Sequence, residues 1–170
     1  MTRPTNIAPG DGILLQQIAK RLAEIDFDFL TFTISSFAQW VSQKRGVPIH
    51  LEPFDESKLP PGFWFMSDDG AHVHFNSRLS PPLQLITILH ELLHIYFRHK
   101  TVYAPNWLAP LVRYHAGLSH RDPLAKDVED REAEIGAILL YRRINPNYDS
   151  ESGISQNQHL SDLFSKVADI

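Results

Sequence analysis

The sequence predicts an α+β domain in which a histidine-bearing helix and a second, acidic helix pack against a small, mainly antiparallel sheet. Two long stretches repeat apolar residues at helical spacing: Leu83, Ile86, Leu89, Leu93 and Phe97, then Val128, Ala133, Ala137, Ile138 and Tyr141. Between them and the N-terminal helices lie short alternating runs around an Asp-Gly turn, the mark of a hairpin. The 170 residues, 43% hydrophobic and 21% charged, match ordinary globular usage and can bury one core. We therefore expect a single domain over residues 1–147 and a polar tail over 148–170, rich in Ser, Asn and Gln.

In chain order, Ile13 to Ile25 reads as a helix with Ile13, Leu14, Ile18, Leu22 and Ile25 on one side. Ile34 to Arg45 repeats the pattern through Phe37, Trp40 and Val41, and Gly46 stops it before Pro48. A strand is expected at Val47 to Leu51, and a surface loop from Glu52 to Gly62, where prolines mix with charges. Phe63 to Met66 is an aromatic strand, Ser67 to Gly70 the turn, and Ala71 to Phe75 the return strand. Period-two alternation puts His72 and His74 on one face of it. Such a pair can bind metal, but a solvent-facing edge strand explains it more simply, and an unpaired edge beside a cleft can hold an extended peptide. Ser80 is the N-cap of the next helix, with Pro81 at its first position. Lys100 to Pro123 reads as mixed loop, suited to a lid, and Lys126 to Ile144 as the last helix.

Sixteen basic against twenty acidic residues, with no Lys/Arg stripe, argue against direct nucleic-acid binding. No signal-like leader and no eighteen-residue apolar run is present, so a soluble cytoplasmic protein without a membrane partner is expected. With zero cysteines, any metal must take nitrogen and oxygen ligands.

Chemistry enters at His90-Glu91-Leu92-Leu93-His94, an H-E-x-x-H sequence in the middle of a predicted helix. Residues four apart sit one turn above each other, so both imidazoles can grip one ion while the Glu91 carboxylate stands beside them as a base. A catalytic zinc needs a third protein ligand and an open position. A further histidine six residues on is missing, for Lys100 stands there and His99 is out of register. The third ligand is then expected from the acidic cluster Glu129 to Glu134, with Asp130 reaching the metal because Ala133 and Ala137 on its face permit close helix packing. Glu134, one turn on, is placed to accept from the distal nitrogen of a ligand histidine, whereas Glu132 points elsewhere. The plainer account of the cluster is acids favouring the positive end of a helix dipole.

The runs Phe75-Asn76-x-x-Leu79, Ile86 to His94, and Glu132-Ala133-Glu134-x-x-Ala137-x-Leu139-Leu140 resemble the ImmA/IrrE family of metallopeptidases, over roughly Ile34 to Arg143. The resemblance implies a gluzincin-like (zincin-like) fold, a zinc cofactor, and proteolysis of a helix-turn-helix repressor that releases stress or mobile-element genes. Family members usually carry a zinc-binding glutamate two residues before the Glu-Ala pair; here that residue is Asp130. Its side chain is one methylene shorter, so either the helices sit closer or Glu129 or Glu134 takes over. The family's usual glycine before the second histidine is Leu93.

The expected activity is a zinc metalloendopeptidase: His90, His94 and Asp130 on the metal and Glu91 as general base. His115, His120 and Tyr141 are available as oxyanion donors, and the role is left unassigned. The competing class is a non-catalytic protein-binding module, or a toxin–antitoxin component on the same scaffold. A purely structural zinc would recruit a fourth ligand such as His72, His74 or His115.

Overall fold

Hydrophobic burial around two packed helices organises the chain, whose computed structural model describes residues 11–56, 60–106 and 123–146. Among these the helices are α1 (Asp11–Ala23), α2 (Ile34–Arg45), α3 (Pro81–Phe97) and α4 (Pro123–Ile144), with a 3-10 turn at Phe29–Thr31. The strands are β1 (Ile49–Phe54), β2 (Gly62–Ser67) and β3 (Gly70–Asn76). The expected lid and its His115 and His120 fall largely outside the described residues, as does the expected tail. None of the described helices is long and apolar enough to cross a membrane.

Local chemistry sets the ends of these elements. Thr33 caps α2: its hydroxyl accepts from the Ser36 amide, and Ser36 answers on the Thr33 amide at 3.1 Å, a reciprocal box. Gly46 closes the helix in the left-handed region (φ 67°), which costs a residue without Cβ little. Ser80 stands at the N-cap of α3, but its hydroxyl makes no cap bond, because Pro81 and Pro82 leave the first turn short of N–H donors. α4 begins at Pro123, so Glu129 to Glu134 lie in its second and third turns. The helix-dipole account of that cluster therefore fails, since the dipole acts within the first turn.

The sheet has the order β1-β3-β2, with β1 parallel and β2 antiparallel to β3. It is thus mixed rather than mainly antiparallel: β3 inserts between two strands that are adjacent in sequence, and the expected Glu52–Gly62 loop gives up Glu52 to Phe54 to β1 and Gly62 to β2. Pro53 is tolerated because β1 is an edge strand. β3 is the central strand, and His72 and His74 are 8% and 3% exposed, so the expectation of a solvent-facing edge is overturned. Paired on both sides, β3 offers no free backbone to a peptide.

One sheet face, carrying Ala71, Val73, Trp64, Ile49 and Leu51, packs on the helical core with Leu89, Leu92, Leu93, Ala133, Ala137 and Ile138. The opposite face carries His50, Glu52, His72, His74, Phe63 and Phe65. Ala133 and Ala137 are fully buried, and α4 makes its main contact along α3, as their small size permits. Ile13 and Val128, expected on buried faces, are 62% and 58% exposed. Each lies at the margin of its stripe, where no element among the described residues covers it.

Candidate metal centre

His90 and His94 follow from helical periodicity: one turn apart on α3, their Nε2 atoms converge to 2.9 Å. Asp130 of α4 brings Oδ1 to 3.3 Å from His94 Nε2. Neighbouring ligands in a tetrahedron with bonds of about 2.0–2.2 Å stand roughly 3.3–3.6 Å apart. The pairs His90–His94 and His94–Asp130 come near that spacing, whereas the group with every ligand atom within 4.8 Å of the others is His90, Glu91 and His94, without Asp130. Glu91 is 6% exposed and His94 fully buried. Glu134 lines the same cleft as His90 and Glu91, while Glu129 turns away, its carboxylate accepting from the Lys100 amide at 3.3 Å.

Burial of an imidazole requires that its second nitrogen be satisfied, and His94 finds that partner in His99, whose Nδ1 lies 2.9 Å from His94 Nδ1. His99 reaches it because Arg98 adopts the left-handed conformation (φ 60°) and folds the chain back under the helix end, where the His99 amide bonds the His94 carbonyl at 3.0 Å. His99 Nε2 in turn lies 2.9 Å from Glu132 Oε2, and Glu132 pairs with Arg21 of α1. Burial holds His99 below its ordinary pKa, against the pull of Glu132, so the ring is neutral near pH 7. A carboxylate only accepts; His99 therefore donates from Nε2–H, and its bare Nδ1 accepts from His94 Nδ1–H. That leaves the lone pair of His94 Nε2 facing His90 and Asp130.

Supporting the distal nitrogen, the part expected of Glu134, thus falls for His94 to His99 and Glu132. Sequence spacing missed both, because His99 is off the metal register and Glu132 sits on another face of α4 from Asp130. The one local signal was His99 itself, just past a helix end.

The cleft beside the histidines has a volume of about 310 Å³ and is lined by Gly62, Thr87, His90, Glu91, Glu134 and Ile138, among others. Gly62 lets β2 reach α3 here: a Cβ at this position would collide with the Thr87 methyl and stand 3.0 Å from the His74 carbonyl and 3.5 Å from Glu91 Oε1. The Asn76 amide bonds the Pro61 carbonyl, which by antiparallel alternation turns the backbone groups of Gly62, Trp64 and Met66 to the outer edge of β2. Val102 and Ala104 occupy that edge at Met66, and the Thr101 hydroxyl bonds the Trp64 carbonyl. Among the described residues this leaves the Gly62 N–H and C=O on the open stretch, next to the cleft. Tyr141 is buried in the core, where desolvation raises its pKa. His72 and His74, on the far face of the sheet, are excluded as fourth ligands to this centre.

Comparison with models of known protein families, with curated proteins and with solved structures gives no match.

Proposed function

We propose that the chain is a zinc-dependent endopeptidase with a zincin-like site, of the kind the ImmA/IrrE resemblance implies. The meeting of His90 Nε2 and His94 Nε2 beside a buried Glu91 at the wall of a cleft, with Asp130 Oδ1 3.3 Å from His94 Nε2, carries this reading. The donor set, two imidazoles and a carboxylate, is one that catalytic zinc sites use with a fourth position left open. When bound, zinc supplies a Lewis acid that polarises a carbonyl and brings the pKa of a water toward neutrality.

The protein's own groups supply the rest. From its buried position, Glu91 takes a proton from the attacking water and delivers it to the leaving amine nitrogen. His99 and Glu132 keep His94 in one tautomer. The Gly62 edge pairs with an extended substrate backbone and draws it across Glu91. A protein substrate such as a helix-turn-helix repressor, cleaved in the cytoplasm to release stress or mobile-element genes, follows from the resemblance alone.

The test is cleavage of a repressor encoded beside this chain, with Glu91→Gln as control; the variant is expected to lose about 10²–10⁴-fold in kcat while keeping its zinc. Equal cleavage by wild type and variant would remove Glu91 from the mechanism. Zinc stoichiometry assigns the third ligand: Asp130→Ala is expected to lose the ion from this centre and Glu134→Ala to keep it, and the reverse would transfer the role to Glu134.

A further inference from the structure

The far face of the sheet carries a second cluster that the peptidase reading does not use. Parallel register sets Glu52 opposite His74 and His50 opposite His72, so alternation brings all four side chains to one face. His72 Nδ1 lies 2.9 Å from Glu52 Oε1, and His74 Nδ1 lies 3.6 Å from Glu52 Oε2. One ligand atom from each of the three falls within 4.8 Å of the others. The rings are fixed in place: Phe65 stacks on His72 at 5.1 Å and on His74 at 5.5 Å between centroids, and Phe63 stacks on His74 at 4.8 Å.

We propose that Glu52, His72 and His74 form a second binding site for a divalent transition metal, with zinc the best fit, that clamps edge strand β1 to central strand β3. Two imidazoles and a carboxylate select zinc or its neighbours over magnesium or calcium, which prefer all-oxygen sets. The outer contacts agree with this. His72 Nε2, the nitrogen turned away from Glu52, meets Ser67 Oγ at 2.9 Å and Asp69 Oδ1 at 3.0 Å. A carboxylate on the distal nitrogen fixes the tautomer that frees Nδ1 for an ion, as metal-ligating histidines commonly require.

The site is separate from the α3–α4 centre, so each can fail without the other. The full-length protein, dialysed against micromolar zinc and assayed by elemental analysis, is expected to hold two ions. His90→Ala with His94→Ala is expected to hold one, and adding Glu52→Gln to that pair to hold none. Asp69→Asn is expected to keep the ion with affinity reduced about 10–100-fold. Failure of the peptidase reading would remove only the ion sensitive to His90 and His94. As a readout that leaves the cluster intact, the ring nitrogen resonances of His72 and His74 are expected to shift at Nδ1 when zinc is added to the His90/His94 double variant. Unmoved resonances, or a stoichiometry insensitive to Glu52→Gln in a folded protein, would overturn the proposal. Loss of the ion in Asp69→Asn but not in Glu52→Gln would overturn the ligand set.

Discussion

Removing the Glu132 carboxylate tests the chain of hydrogen bonds behind His94. In Glu132→Ala, His99 Nε2–H loses its acceptor in a buried site, where His99 is 7% exposed. A hydrogen bond to a charged group contributes about 1.5–3 kcal/mol. Arg21, whose side chain is 37% exposed, recovers most of its own loss from water and keeps its 3.1 Å bond to the Phe97 carbonyl and its seat 3.8 Å over the Phe97 ring. The cost therefore falls mainly on His99 and, through it, on the tautomer of His94. Outer partners of metal-bound histidines change affinity about 10–100-fold, equivalent to about 1.4–2.7 kcal/mol at 1.36 kcal/mol per decade, and the two estimates agree. Zinc dissociation constants measured by competition with a chromophoric chelator, in the Glu52→Gln background to isolate this centre, should rise by that factor. Glu132→Gln, which keeps an acceptor but loses the charge, should fall between wild type and alanine. A folded Glu132→Ala protein that binds zinc as tightly as its parent would refute the relay.

Two further predictions follow from other parts of the fold. Gly62→Ala should destabilise the protein by about 1–3 kcal/mol through overpacking against the Thr87 methyl and the His74 carbonyl. Thr87→Ser, which deletes the colliding methyl, should recover part of the stability in denaturant titrations, and no recovery would mean that the His74 carbonyl is the true obstacle. Asp26 accepts from Lys44 Nζ at 2.8 Å and Trp40 Nε1 at 3.1 Å, and the Lys44 bond first of all holds its pKa below 3.8. Because the folded value is depressed, the stability it adds is complete above the unfolded pKa and is lost as pH falls through the folded one. Carboxyl-carbon NMR should show Asp26 titrating below an ordinary aspartate and returning to normal in Lys44→Met.

Helical and strand periodicity made much of this molecule readable in advance. The α2 boundaries, the Gly46 stop, the Asp-Gly hairpin and the meeting of His90 with His94 depend on spacings of two to four residues, which local geometry alone fixes. The approach of Asp130 was legible because Ala133 and Ala137 mark a close helix contact. His99 and Glu132 were not, since the left-handed turn at Arg98 is made by a residue with no special preference for it and the bond spans 33 positions.

The letters by themselves determined which residues share a helix face or a strand face, and so which donors were available to an ion. Only the tertiary structure decided the strand order. Insertion of β3 between β1 and β2 made a presumed edge into the centre of the sheet, buried His72 and His74, and brought Glu52 across to them. Pairing between strands depends on which surfaces bury together over long separations. A one-dimensional pattern of polar and apolar positions is the same whether a strand ends up inside the sheet or at its margin.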